Sequence, residues 1–524
     1  MTRESLLNDI MRWVTDPDGK RTFWLHGFAG SGKSTVANTI ASRYMDAGLL
    51  GASFRFNRDI DGRNGPMFLF RNIAYQLALF DGHFRQSLLQ VITKYGTIDS
   101  FSLQEQFERF IVEPLNEVSF VGPAIIVVDA LDECGVESER KDILRAIGKA
   151  SPKLPSFVKV LLTSRDERDI HATFTSISLS VSINEVNGIA DDIRTYIIDR
   201  INDIIDSHDH LESGWPGTVH KERLSTRAGG LFIWVTVAST YIKDSVDPDQ
   251  ALDAVLGGQT SGVERGPEAA LDDLYRGILE RTDALHNSTD ATKYVVGSIL
   301  VAKTPLTRMG IDSLLGLGKN VVRSLGDGSQ IRLTSSAPLI KALGSILRVD
   351  DKGVIRVLHA SIIDFFTNPN RCTDERFFID KSKYNREIAI RCFQTMDGLK
   401  RDICAINDPT KFNSEIPDLD ERLNKYLTEH LRYACGFWNR HLEDVADDDV
   451  EAFDQAKEFL LTHLLHWIEV MSLLNDINGV LMTLRVLKPW FQVRHICLLV
   501  SLTRLRFLTT MHRTIATAKW MSIS

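Results

Sequence analysis

The sequence lacks any apolar run near the ~20 residues a membrane-spanning helix needs. A helical membrane crossing is therefore not expected. Cysteine is sparse: Cys134, Cys372, Cys392, Cys404, Cys435 and Cys497 are scattered without paired spacing. This excludes a disulfide frame or a zinc site of the usual spacing and predicts reduced thiols in a cytoplasmic protein. Positive charge is not in excess. A formal net charge of −8 argues against a general nucleic-acid binder. No fixed-period repeat and no low-complexity tract is visible, so a solenoid is not expected. Acids are missing from Ile477 to Ser524, where Arg485, Lys488, Arg494, Arg504, Arg506, Arg513 and Lys519 stand. Such a tail either meets an acidic partner or membrane surface, or is a helical end without its continuation. The stretch Met1 to Trp13 is amphipathic and carries acids, unlike a secretory signal.

What the chain has in place of these is one strong phosphate-binding pattern. Phe23-Trp-Leu-His-Gly-Phe-Ala-Gly-Ser-Gly-Lys-Ser-Thr35 fits G-x-x-x-x-G-K-[ST]. Phe23 to Leu25 reads as a short buried strand and Val36 to Tyr44 as the helix that follows. Gly27, Gly30 and Gly32 let backbone N–H groups approach oxygen closely, and the helix directs its positive end at the same place. Ala29, Ser31 and Thr35 complete the expected cradle. Lys33 is the mobile charge for the terminal phosphates. Ser34, or its neighbour Thr35, supplies a hydroxyl for Mg²⁺.

At 524 residues the chain exceeds one core, so roughly two to four domains are expected. Residues 4–13 show helical spacing. Gly51 to Phe56 reads as a second strand. Gly65-Pro66 opens a helix whose Phe70, Ile73, Ala74 and Leu77 share a face, and Leu103 to Ile111 reads as a helix ending before Pro114. After Pro123, Ala-Ile-Ile-Val-Val-Asp129 is a strand buried on both faces, and Lys159 to Thr163 repeats its signature. The expected fold is thus an α/β domain over residues 1–180, a parallel sheet flanked by helices. A helical domain follows over 181–268, with an amphipathic helix at Asp191 to Ile205 and a Gly229-Gly230 turn into an apolar helix. Residues 257–268 are the linker candidate. Residues 269–371 hold helices and a hairpin turning at Asp350 to Gly353, a winged-helix pattern. Residues 372–524 read as helical.

Ligands of parallel sheets collect at strand C-termini. Gly27, Asp129 and Ser164-Arg165 all follow strand ends, so one site can gather them. Asp129 can hold the metal with Ser34. Glu133 or Asp132 can orient the attacking water, with a structural salt bridge as the alternative for Glu133. Arg165 can sense the γ-phosphate; a surface ion pair is its alternative. His26 reads as packing.

Taken in order, Gly27-Phe-Ala-Gly-Ser-Gly-Lys-Ser-Thr35, Ile125-Ile-Val-Val-Asp-Ala-Leu-Asp-Glu133, Lys159-Val-Leu-Leu-Thr-Ser-Arg165 and Gly229-Gly-Leu-Phe-Ile-Trp234 resemble the NACHT domain of signal-transduction (STAND) NTPases. The pattern resembles fungal NACHT proteins with a nephrocystin-type N-terminal module. Val357-Leu-His-Ala-Ser-Ile-Ile-Asp-Phe365 resembles their winged-helix ending. The resemblance runs from Thr2 to Leu442, with Tyr433-Ala-Cys-Gly-Phe-Trp438 a weaker match. It implies a cytoplasmic, NLR-like switch that rests with ADP and assembles when ATP replaces it, with slow hydrolysis. In fungi it implies non-self recognition and heterokaryon incompatibility. By position, His359 matches the histidine that contacts the ADP β-phosphate in related switches; a packing histidine is the alternative.

GTP in place of ATP stays open. The chain departs from the family pattern at both ends, so effector and sensor modules are expected on other chains or missing, and self-association is expected through the nucleotide domain. Two other readings compete: a nucleotide-binding interaction scaffold without turnover, and a small-molecule phosphate-loop kinase.

Overall fold

The computed structural model describes residues 2–57, 65–95, 101–118, 122–135, 137–257, 267–286, 289–318, 323–324, 330–331, 333–408, 410–446 and 449–493. Most of the linker candidate at 257–268, Cys497 and the tail beyond residue 493 lie outside these residues. The chain divides into two compact units, Met1–Tyr384 and Asn385–Ser524.

The first unit is organised by a five-stranded sheet, all of whose pairings are parallel. Its strands are β1 (Thr22–His26), β2 (Leu50–Arg55), β3 (Ala124–Asp129), β4 (Val158–Ser164) and β5 (Ser178–Ser182), in the order β2-β3-β4-β1-β5. Successive side chains leave a strand on opposite faces, and here both faces are covered. Phe23, Leu25, Ile125, Val127 and Leu161 pack with the helices α1 (Glu4–Thr15) and α2 (Lys33–Asp46). Trp24, Ile126, Val128, Val160 and Leu162 face the other core, which contains Phe70, Ile73, Ala74 and Leu77 from the helix Leu69–Phe80. That two-sided burial is why β3 and β4 are continuous apolar runs.

Three local features differ from the sequence reading. The helix opened at Gly65-Pro66 begins as a single tight turn, Pro66–Phe68, before the regular helix. The helical run from Leu103 does not end before Pro114. It widens into a π-turn at Glu108–Val112 and continues to Asn116. The wider turn makes room for a ring that cannot donate a backbone hydrogen bond. Finally, Ser178-Leu-Ser-Val-Ser182 forms the edge strand β5, whose polar, partly exposed residues hide it in the sequence.

Lys159 is the exception in β4. It is 1% exposed in the middle of the sheet. Its Nζ donates to the Asp16 carbonyl at 2.5 Å and to the Gly19 carbonyl at 3.3 Å, closing the turn that feeds β1.

After β5 the first unit is mainly helical. The helices Ile189–Ile205, Thr218–Ala228 and Phe232–Lys243 match the amphipathic and apolar patterns, with Gly229 in left-handed conformation ending the second of them. A hairpin pairs Leu347–Val349 with Ile355–Val357, and His359 then caps the helix Ala360–Thr367. The second unit is helical among its described residues apart from the segment around residues 397–418. Trp438, Trp467, Phe393 and Phe459 meet in its core. All five described cysteines are buried free thiols.

Lys159→Met removes the donor to the Asp16 carbonyl while keeping an apolar stem of similar length. Loss of about 1–3 kcal/mol of stability is expected, read as a lower urea midpoint with an unchanged far-UV spectrum.

Candidate functional site

The site starts where β1 ends. Gly27, Gly30 and Gly32 have φ of 148°, 76° and 96°, a region that favours glycine. Space imposes the same choice. A Cβ on Gly30 would lie 2.0 Å from Ile233 Cγ2, and one on Gly27 2.7 Å from Ile183 Cγ2. Helix α2 begins at Lys33, directly after the loop, so loop amides and helix dipole act on one space. Lys33 is 9% exposed, and its Nζ donates to the carbonyls of Gly27 (2.9 Å) and Phe28 (2.8 Å). Burial depresses the ammonium pKa to about 8, with Asp132 opposing the shift.

Asp129 closes β3 and is 3% exposed. Ser34 Oγ donates to its Oδ1 at 3.1 Å, and Thr163 Oγ1 donates to the same oxygen. Among the described residues its Oδ2 accepts no hydrogen bond; Arg55 Nε stands 3.4 Å away. A buried carboxylate oxygen without a hydrogen bond, beside a hydroxyl at a helix start, suits a hard cation such as Mg²⁺. The expected metal pair, Ser34 and Asp129, thus fits that ion.

The chain leaves β3 through Ala130, which is left-handed at φ 59°, into the tight turn Leu131–Glu133. This turn brings Asp132 and Glu133 to the wall of a cavity of about 490 Å³. The volume is in the range of small-molecule sites. Asp132 is engaged by Arg165: the Arg165 backbone N–H donates to Oδ1 at 3.0 Å, and Nε lies 3.1 Å from Oδ2. Arg165 Nη1 lies 2.6 Å from Asp364 Oδ2, on the helix that His359 caps. Burial works against the guanidinium charge, yet Asp364 and Asp132 outweigh it and raise the pKa. Arg165 is therefore a permanent cation shared by two carboxylates. Arg140 supports this corner. It donates to the Asp132 carbonyl at 3.3 Å and pairs with Glu167 and Asp169.

His359 borders the same cavity. Its Nδ1 accepts the Ser361 backbone N–H at 3.1 Å and lies 2.8 Å from Ser361 Oγ, which in turn contacts the Tyr275 hydroxyl at 2.9 Å. Since Nδ1 accepts, the neutral ring carries its proton on Nε2. Burial, then the Arg165 and Lys33 charges, push its pKa down to about 4.

The cavity touches Ala29, Gly30, Gly32, Lys33, Ser34 and Thr35 of the loop, together with Asp132, Glu133, Arg165 and His359. Gly27, Ser31 and Asp129 lie behind this lining; Ser31 Oγ donates to the Phe28 carbonyl at 2.9 Å. His26 does not border the cavity. It is stacked on Trp24 at 4.2 Å, with Nε2 3.1 Å from Ser180 Oγ. The wall also includes Arg3, Arg55 and Tyr196, which had no role in the sequence reading, and Phe232, from the Gly229-to-Trp234 stretch. Asp364 lies inside a stretch singled out above, but its pairing with Arg165 spans two distant segments and leaves no local pattern.

The His359 shift has a definite sign. Its folded pKa lies below the unfolded value, so the unfolded chain takes up the proton first as pH falls below 6.5. Stability is then lost progressively down to about pH 4. Because the ring partly faces the cavity, the expected loss is about 1–2 kcal/mol and less than the full shift implies. His359→Gln should remove that component, seen as a smaller drop in Tm between pH 7 and pH 4.5 than in the unaltered protein.

Residues 1–165 match the family described as Nephrocystin 3, N-terminal. No curated protein matches the chain. Among solved structures, Orc1 from Aeropyrum pernix in complex with DNA is 16% identical, with 72% of this chain and 93% of that one covered at a TM-score of 0.27. Cdc6p from Pyrobaculum aerophilum is 13% identical, covering 69% and 91% at 0.28. A DNA polymerase III gamma subunit-related protein from Thermotoga maritima is 12% identical, covering 74% and 98% at 0.27. Likenesses this distant carry no argument about activity or partners. The family match is on different ground, because it spans the loop, the β3 acid and the β4 arginine. The resemblance drawn from the sequence holds over that segment: residues 1–165 resemble the nephrocystin-type N-terminal family, which is consistent with a NACHT-like phosphate-loop domain.

Proposed function

We propose that the chain is a nucleotide-operated switch that binds ATP, with GTP as the alternative, and hydrolyses it slowly to control conformation and assembly. The observation that carries this reading is the shared Arg165. One cation joins Asp132, the acid that follows β3, to the distant carboxylate of Asp364. A ligand that draws Arg165 toward itself must weaken that link. Occupancy of the cavity and the packing of the helix Ala360–Thr367 are therefore coupled.

In this reading the loop amides of Gly30 and Gly32 and the α2 terminus hold the phosphates. Lys33 gives up its contacts with the Gly27 and Phe28 carbonyls for phosphate oxygen. Ser34 and Asp129 would hold Mg²⁺, which supplies charge neutralisation at the phosphates when bound. Glu133, on the cavity wall, is the group assigned to orient water, with Asp132, held by Arg165, as the alternative. Arg165 answers to the γ-phosphate, and the Nε2–H of His359 donates to a phosphate oxygen. The working division is 1–180, 181–268, a winged-helix-like 269–371, and 372–524. Cytoplasmic, incompatibility-type signalling in a fungus, with self-association or protein partners, is the process we assign by resemblance. No described helix is long and apolar enough to cross a membrane.

Titration calorimetry with Mg-ATP and Mg-ADP tests the reading. Lys33→Ala should cost about 1.5–3 kcal/mol of binding, the worth of a charged contact. Affinity should also decline above about pH 8 as free Lys33 loses its proton. Glu133→Gln should keep binding and slow phosphate release at least tenfold, on the order of a lost general base. Absence of nucleotide binding in the unaltered protein would sink the proposal. Binding without turnover would leave the scaffold reading in its place.

A further inference from the structure

Arg3 is a buried guanidinium outside the phosphate-loop motif, and nothing in that motif requires it. It is 6% exposed, and its backbone is left-handed at φ 63°, a conformation that is unfavourable for a residue with a Cβ. A buried charge in a strained backbone persists only when its surroundings fix it. Here they do. Arg3 Nη2 donates to the Ser31 carbonyl at 3.0 Å and Nη1 to the Ile183 carbonyl at 3.3 Å. Its backbone N–H donates to Asp192 Oδ2 at 3.1 Å, and its guanidinium lies 5.3 Å from the centre of the Phe232 ring. Four segments therefore meet at one side chain: the phosphate loop, the residue after β5, and the first turns of the helices Ile189–Ile205 and Phe232–Lys243.

The contact with Ser31 matters most. A trans peptide is planar, so its C=O and the next N–H point in opposite directions. With the Ser31 carbonyl held by Arg3, the Gly32 N–H is turned the other way. Gly32 borders the cavity, and Arg3 borders it too. A second anchor acts next to it, since the Ile233 backbone N–H donates to the Gly30 carbonyl at 3.3 Å. Two successive loop carbonyls are thus held by donors from outside the loop.

We propose that Arg3 is a positioning residue for phosphate binding. It fixes the Ser31–Gly32 peptide in the orientation that presents its N–H to an anion, and it ties that orientation to the helical segment through Asp192 and Phe232. Loop geometry and helix placement then change together. Sequence gave no hint of this role, because one arginine near the start of an amphipathic helix reads as a solvated charge.

This inference rests on the nucleotide reading above, and the test separates the two. Binding of Mg-ATP and Mg-ADP is measured by calorimetry for the unaltered chain, Lys33→Ala, Arg3→Met, Arg3→Lys and Asp192→Asn. The temperature is chosen so that Tm shows every variant fully folded. Hydrogen exchange of the loop amides is followed in the same proteins without nucleotide. Arg3→Met should weaken both nucleotides about tenfold, the size of one charge-assisted contact, and speed exchange across residues 30–34. Arg3→Lys, with one donor group in place of a planar fork, should recover part of the affinity. Asp192→Asn should speed loop exchange with a smaller change in affinity. A lower Tm for Arg3→Met with nucleotide affinity and loop exchange unchanged would overturn the proposal and make Arg3 a purely structural staple. If the unaltered chain binds no nucleotide, the parent reading fails and this one with it. If Lys33→Ala loses binding and Arg3→Met does not, this one fails alone.

Discussion

The structure of the first unit turns on the burial of one ammonium group. Lys33 cannot be both hidden and charged without donors' partners close by. The loop provides them by bending its own Gly27 and Phe28 carbonyls inward. That bend needs glycine geometry at Gly27, Gly30 and Gly32, and the bend places α2. With α2 in place, Ser34 meets Asp129, so the loop on β1 and the acid on β3 are registered although their strands do not touch. The rest of the site is then a matter of balancing charge. Arg165 and Arg55 answer Asp129, Asp132 and Asp364, and Arg140 secures the turn from behind.

Such a cluster favours change more than rigidity. Opposed charges in partial burial hold one another only while no better partner enters. The carboxylates at positions 132 and 364 hold Arg165 from two sides, and in the proposed function a phosphate oxygen would take the place of either. His359, kept neutral by its surroundings, keeps a donor available without adding another positive charge to a crowded site.

Much of this was legible in the sequence, and the reasons are physical. Residues that carry backbone information show locally. The glycines at 27, 30 and 32, the β-branched run at 125–128 and the apolar spacing of Phe70, Ile73 and Leu77 each announce their own geometry. So the parallel sheet, the gathering of Gly27, Asp129 and Arg165 at one edge, and the hairpin before His359 could all be expected. What did not show were facts about pairs. Arg3 with Ser31, Arg55 with Asp129 and Arg165 with Asp364 join segments whose separation no local pattern encodes. That Asp132 is held by Arg165 is likewise a fact about two segments. The strand β5 escaped because an edge strand needs only one covered face, and serines at 178, 180 and 182 mimic a loop. Pro114 misled for a related reason: a helix can widen around a proline instead of stopping.

The strand order has a consequence for how the molecule comes into being. β1 pairs with β4 on one side and β5 on the other, while β2 pairs with β3. The first strand made is thus without either neighbour until Val158 and then Ser178 have been synthesised. High contact order of this kind slows folding, because long loops must close before any pairing rewards them. The phosphate loop, attached to β1, is then among the last parts of the sheet to take shape on the ribosome. A fragment cut at residue 165 would retain every motif of the loop and still leave one edge of β1 bare.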